Sequence, residues 1–282
     1  MEIIRTVKEM QEVSMYLHAE HWCIGFVPTM GFLHDGHLSL IKRAKKENNV
    51  CIVSMYVNPT QFNSKEDLKT YPRNFERDEK LLRQANIDYL FYPKDKEIYP
   101  EGYQTVVQVE KLGNVLEGVS RPDHFKGVAT VVTKLFNIIK PNKAYFGQKD
   151  YQQCLVIKQL VRDLTMDVQV VVCPTIREKD GLAMSSRNVR LTLEERQQAV
   201  CLYQALRHTE QRVKQGEKNT AVLKREMEEL ILKNTIAKID YVEIVQPETL
   251  APLETIKQNA MVCLAAFIGK TRLIENEMVK VK

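Results

Sequence analysis

Apolar, β-rich runs at Cys23 to Val27, Val50 to Val57, Ile87 to Tyr92, Ala144 to Phe146 and Val168 to Val172 alternate with segments of helical periodicity near 37–47, 74–85, 127–139 and 150–163. Such alternation builds a parallel sheet, because a parallel partner needs a crossover that returns the chain to the same end of the sheet. The predicted class is α/β, a Rossmann-like parallel sheet with helices on both faces, which holds ligands outside the carboxyl ends of its strands. The turns that carry unusual residues follow those ends: 31–37 after the first run, 58–62 after the second, 147–150 after the fourth and Ile176 after the fifth.

The pattern changes after Arg187. Thr192 and Glu195 have the spacing of a capping box, followed by a long helix to about Lys214, a second helix near Thr220 to Asn234, and strand-like runs at Tyr241 to Val245 and Met261 to Phe267. A smaller α+β domain is expected, with the boundary between Pro174 and Leu191. The division is set at 1–176 for nucleotide and acid binding and 177–282 for a smaller domain that closes over the site.

Two stretches suggest chemistry. Pro-Thr-Met-Gly-Phe-Leu-His-Asp-Gly-His at 28–37 places His34 and His37 where an apolar run gives way to an amphipathic helix marked by Leu38, Ile41 and Ala44. Helix N-termini attract anions through free N–H groups and the helix dipole, so the turn reads as a phosphate site. An isolated pair of histidines in a turn equally serves to cap or pack. The second stretch, Met-Ser-Ser-Arg at 184–187, and the intervening Gly-Gln-Lys-Asp at 147–150 add hydroxyls and cations suited to a nucleotide.

The His-x-Gly-His turn and the Met-Ser-Ser-Arg loop resemble the HIGH and KMSKS signatures of the class I synthetase and nucleotidylyltransferase superfamily. Five motifs in order are similar to those of the pantoate-beta-alanine ligase (pantothenate synthetase) family. They are Pro-Thr-Met-Gly-x-Leu-His-x-Gly-His, Val-Asn-Pro-x-Gln-Phe at 57–62, Arg-Pro-x-His-Phe-x-Gly-Val at 121–128, Phe-Gly-x-Lys-Asp-Tyr-Gln-Gln at 146–153 and Gly-Leu-Ala-Met-Ser-Ser-Arg-Asn at 181–188. The resemblance spans nearly the whole chain.

What it implies is an ATP-dependent condensation of pantoate with beta-alanine through a pantoyl adenylate. His34, His37 and Lys149 would be catalytic, with His37 the proton donor. Met30, Gly31, Phe32, Leu33, Asp35, Gly36, Gly147, Gln148, Asp150, Ile176, Met184, Ser185, Ser186 and Arg187 would complete the ATP site, with Gly147 and Asp150 at the ribose. Gln61 and Gln153 match the pantoate residues, and Asn58 and Arg121 are assigned to the same region. Met30, Val128 and Val131 read as wall or core. Magnesium accompanies ATP, with no dedicated metal ligands; Asp78 is placed to reach it through water. A homodimer is also implied, with no nucleic acid or membrane partner.

Composition agrees. A net charge of +5, from 41 Lys and Arg against 36 Asp and Glu, is too mild to imply nucleic acid. The run Lys42, Arg43, Lys45 and Lys46 reads as a solvated helix face. Six scattered cysteines without metal spacing read as reduced core residues, and with no leader or long apolar stretch a cytoplasmic location is expected. His124 is either a ligand contact or satisfied by backbone, while His18, His21 and His208 read as surface or packing residues. A nucleotidylyltransferase would share both signatures but leave a stable dinucleotide. An RNA-binding or nucleotide-sensing module is disfavoured, since about a hundred residues after the second signature are few for an anticodon-binding region and no basic stripe interleaved with aromatics is present.

Overall fold

The computed structural model describes residues 1–233 and 236–281. It divides into two compact units, Met1–Pro174 and Thr175–Lys282.

The first unit is built on six strands, β1 (Glu2–Ile4), β2 (Ile24–Thr29), β3 (Val50–Met55), β4 (Tyr89–Phe91), β5 (Lys143–Gly147) and β6 (Gln169–Cys173), all parallel, in the order β1-β4-β3-β2-β5-β6. The central strands carry continuous apolar runs because helices cover both faces; every residue of β3 is buried. From β2 the chain winds one way through β3 and β4, and the other way through β5 and β6. The β2/β5 junction is therefore the switch point at which such sheets open a crevice.

Two expectations shift here. The three-residue edge strand β1 is too short to show a period, so the motifs follow the second, third, fifth and sixth strands rather than the first, second, fourth and fifth. The helix expected from 127 begins at His124 and runs to Ile139, a start hidden by the left-handed Asp123 that precedes it.

The second unit holds a three-stranded antiparallel sheet, β7 (Ala237–Val245), β8 (Asn259–Ile268) and β9 (Thr271–Lys280), with helices Val200–Lys214 and Thr220–Leu232 supplying Leu202, Leu206, Leu223 and Met227 to its core. Thr192 and Glu195 form the expected capping box, but the helix stops at Gln198 and restarts at Val200. The third strand, β9, escaped the sequence reading because polar residues such as Glu275, Asn276 and Glu277 interrupt its apolar pattern. The expected helix end at Asn234 lies outside the described residues.

All six cysteines are free; Cys23 is exposed, unlike the core position expected of it, because it precedes β2. No helix among the described residues is long and apolar enough to cross a membrane.

Candidate active site

The turn after β2 is held by side chains from neighbouring elements. Gly31 and Phe32 both adopt left-handed backbone, with φ of 81° and 51°. Glycine tolerates this and phenylalanine does not, so the conformation needs outside support. Asp78, buried in the helix Phe75–Gln84, supplies it: one carboxylate oxygen accepts from Phe32 N at 2.5 Å and the other from Leu33 N at 2.9 Å. Arg77 donates to the Leu33 carbonyl at 2.8 Å, pairs with Asp78 at 3.0 Å and lies 5.0 Å over the Phe32 ring. The amides of Phe32 and Leu33 are thus turned to a protein carboxylate, and Leu33 is core. Asp78 is a loop anchor. Its carboxylate is engaged by three donors, which argues against the water-bridged metal contact expected of it.

His34 caps the helix Asp35–Glu47 in an unusual capping box. Gly36 N donates to His34 Nδ1 at 3.2 Å, and His34 N donates to His37 Nδ1 at 3.3 Å. Both Nδ1 atoms act as acceptors, so in each neutral ring the proton resides on Nε2. Burial, reinforced by the Lys149 charge, lowers His34 to about 4. Burial and the neighbouring His34 lower His37 to about 3. At neutral pH the turn presents two uncharged N–H donors.

The turn after β5 adds charge. Gln148–Asp150 form one 3-10 turn leading into the helix Tyr151–Asp163, with Lys149 Nζ 3.6 Å from Asp150 Oδ1 and its side chain largely shielded. Lys149 and Asp150 both perturb His34 and His37, so the β2 and β5 turns converge at the switch point.

The turn after β3 carries Gln61, on a 3-10 turn Pro59–Gln61 pressed against Gly127. A Cβ on Gly127 would come within 2.5 Å of the Thr60 carbonyl oxygen, so that packing requires glycine. Asn58 is buried and fully used: its amide nitrogen donates to Gln61 Oε1 at 3.1 Å and Gly127 O at 3.2 Å, while its oxygen accepts from Thr60 and Tyr99. Arg121 donates to the Gln61 carbonyl at 3.3 Å, and His124 Nδ1 lies 2.8 Å from the same oxygen. His124 is therefore satisfied by backbone. Among the described residues Gln61 Nε2 reaches only the Met30 sulfur, at 3.3 Å, a weak acceptor. Of the two adjacent glutamines, Gln152 is buried in bonds to Leu112 O, Val115 O and Glu117 N, whereas Gln153 is half-buried. Val128 and Val131 are core.

In the second unit Ile176 and Met184 face each other across a short hairpin in which Met184 N donates to Ile176 O at 3.0 Å. Ile176, expected in the first domain, thus belongs to the second unit. Arg177 and Ala183 N both bond the buried Glu275 of β9. Ser185 caps the 3-10 turn Ser186–Arg190 by accepting from Arg187 N at 3.2 Å. The Met-Ser-Ser-Arg loop is anchored to its own sheet. Arg77, Arg177, Tyr99 and Glu275 carry these supports and lie outside the motifs singled out in the sequence; only an alignment of tertiary neighbours would have exposed them. No cluster of three or more metal-type ligands occurs among the described residues. His18 bonds the Lys140 carbonyl and His208 pairs with Glu226, both away from these turns.

A family model described as pantoate-beta-alanine ligase matches residues 2–278. A pantothenate synthetase of Thermotoga petrophila is 53% identical over 279 residues, 99% of this chain and all of the relative; one of Caldicellulosiruptor bescii is 50% identical over 282 residues, covering both chains fully. The crystal structure of pantothenate synthetase from Thermus thermophilus superposes with a TM-score of 0.93 at 46% identity, over 98% of this chain and 99% of that one. The ligase of Francisella tularensis, complexed with beta-gamma ATP and beta-alanine, gives 0.82 at 40% identity over 99% and 97%.

Proposed function

The chain belongs to the pantoate-beta-alanine ligase family, and from that premise we propose how its residues divide the work of joining pantoate to beta-alanine with ATP. The family reaction passes through a pantoyl adenylate. A pantoate carboxylate oxygen attacks the α-phosphorus and the bond to the β-phosphate breaks, releasing pyrophosphate. The amine of beta-alanine then attacks the acyl carbon, loses a proton as the amide forms, and expels AMP.

Neither step uses a protein nucleophile, so catalysis consists of positioning and charge stabilisation. The observation that carries the reading is the histidine pair beside Lys149: two neutral rings with Nε2–H donors next to a cation, at the N-terminus of a helix. These donors answer charge that builds on the α- and β-phosphate oxygens. In the free enzyme burial and the neighbouring His34 lower His37 to about 3, so at neutral pH its ring meets the phosphates as a neutral Nε2–H donor.

Gln61 and Gln153 hold pantoate. The Gln61 amide can exchange its sulfur contact for a pantoate oxygen at little cost, while Asn58 and Arg121 act by holding Gln61 in place. Gly147 and Asp150 take the ribose, and the backbones of Met30, Ile176 and Met184 line the nucleotide. Ser185, Ser186 and Arg187 donate to the departing pyrophosphate. Those nucleotide assignments rest on the matched motifs.

Magnesium enters with ATP. The residues here suit a metal carried on the triphosphate and water, since His34, His37 and Lys149 are donors and the Asp78 oxygens are engaged. Its contribution when bound is to neutralise phosphate charge. Six free thiols support a reducing, cytoplasmic setting, and the enzyme acts as a homodimer.

ATP-pyrophosphate exchange tests the reading. Exchange should require pantoate, proceed without beta-alanine and collapse in Lys149→Ala. Exchange independent of pantoate would overturn it.

A further inference from the structure

Tyr99 reaches the Gln61 loop from another part of the sheet. It caps the short helix Asp95–Ile98, which follows β4, by donating its N–H to the Asp95 carbonyl at 2.7 Å. Its hydroxyl donates to Asn58 Oδ1 at 2.9 Å and stands 3.1 Å from Thr60 Oγ1, which donates to the same oxygen at 3.0 Å. Tyr103 packs edge to face against the Tyr99 ring, with centroids 5.0 Å apart. The ammonium of Lys134, on the helix His124–Ile139, lies 4.7 Å over the Tyr103 ring and 5.8 Å over that of Tyr99. No carboxylate among the described residues pairs with Lys134, so the two rings serve as its counter-charge and stay in place beneath it. Burial raises the Tyr99 phenol above its ordinary value, which keeps the proton on the oxygen that donates it.

These contacts decide which end of each amide points where. The Gly127 carbonyl only accepts, so the end of Asn58 that lies 3.2 Å from it is the NH2 group, and the end toward Tyr99 is the oxygen. The same NH2 group donates to Gln61 Oε1 at 3.1 Å. Gln61 thereby spends its side-chain carbonyl inside the loop and turns its NH2 group to the Met30 sulfur. An amide turned the other way would set its NH2 group against that of Asn58 and meet a carboxylate with its own oxygen, acceptor against acceptor. Orientation therefore passes from Tyr99 through Asn58 to Gln61. Arg121 and His124 do not set it, because both engage the backbone carbonyl of Gln61.

We infer that Tyr99 is a positioning residue for the acid substrate: by holding the Asn58 oxygen it commits the Gln61 carbonyl to the loop and leaves the Gln61 N–H groups to meet the oxygens of pantoate. This rests on the assignment of Gln61 to pantoate proposed above. Tyr99 acts through Gln61 and has no need to touch the acid. The arrangement favours an acid whose facing group only accepts, since an amine or amide N–H at the same place would meet a second donor.

The test is a double-mutant cycle in the full chain, with pantoate and ATP varied in turn. Tyr99→Phe removes one oxygen and keeps the ring contacts with Tyr103 and Lys134, so the fold should be retained. Because Thr60 still holds the Asn58 oxygen, the KM for pantoate should rise about fivefold. The KM for ATP and kcat should change less than twofold, the pattern of an interaction made equally before and during the reaction. In a Gln61→Ala background the same substitution should change the pantoate KM less than twofold, since its effect travels through a side chain that is no longer there. Equal effects in both backgrounds would overturn the inference, as would a matching rise in the KM for ATP. A loss of kcat or stability with the pantoate KM unchanged would mark a merely structural tyrosine and overturn it too. Gln61→Ala with an unaltered pantoate KM would instead overturn the assignment of Gln61, and the inference with it.

Discussion

His34 and His37 stand one helical turn apart with ring centroids 4.1 Å apart, and each commits its Nδ1 to a backbone N–H of the turn that holds it. Protonating either ring would break one of these bonds and set a cation against its neighbour and against Lys149. The free enzyme is therefore expected to keep both rings neutral from pH 5.5 to 8. Carbon-13 NMR, assigned with His34→Asn and His37→Asn, should show two Nε2-protonated rings that do not titrate there. A midpoint near 6.5 for either would contradict the electrostatics on which the donor role depends.

Lys149→Ala should slow adenylation about a hundredfold, on the order of 3 kcal/mol, because it removes one stabilising group from the transition state. The lysine supports no apolar core, so the melting temperature should barely move. A folded variant within a factor of two of the original rate would remove Lys149 from the phosphate site.

Asn58→Ala should mimic Gln61→Ala in direction. It strips Gln61 Oε1 and the Gly127 carbonyl of a donor and leaves Thr60 and Tyr99 without their acceptor, at roughly 1 to 3 kcal/mol per unpaired group. The expected signature is a raised KM for pantoate with ATP affinity changed less than threefold. Isothermal titration of each substrate separates the two; selective loss of ATP binding would assign the loop to the wrong ligand.

The parallel sheet and the turns at its carboxyl edge were legible in the sequence because buried strands and helix starts leave local periodic and capping signals. His34 is such a case: its cap is written within four residues. Asp78 is the opposite case. Its partners Phe32 and Leu33 lie more than forty residues away, and nothing local distinguishes a carboxylate that holds a turn from one that meets a metal. Asn58 sits between these limits, since its motif marked the loop but only packing against Gly127 and Tyr99 shows that its amide is already used. Strand β9 was hidden for another reason: Glu275 is buried there to anchor Arg177 and Ala183, which interrupts the apolar alternation.

Asp78→Asn replaces one acceptor oxygen with a donor facing the amides of Phe32 and Leu33. The left-handed Phe32 should then relax, displacing Met30 and His34 together. ATP affinity and adenylation should both fall by at least tenfold, and adding magnesium should not restore them. Recovery at high magnesium would instead support a metal-binding role for Asp78.

Stability should fall on mild acidification through His124. Its ring is buried, and burial followed by the Arg121 charge lowers it to about 4. Between that value and the unfolded 6.5 the unfolded chain binds more protons, so stability rises with pH across this window, is complete above 6.5 and is lost as pH falls toward 4. Carboxylates held low by hydrogen bonds, such as Glu47 at about 2 and Glu226, lose their contribution only below about 4.5, which leaves the interval from 6.5 to 4.5 to the histidines. His124 should account there for about 2 kcal/mol. Urea unfolding followed by the single tryptophan, Trp22, should show the midpoint falling over this interval and falling less in His124→Asn. Equal slopes in the two proteins would mean that the ring is not held neutral by its site beneath Gln61.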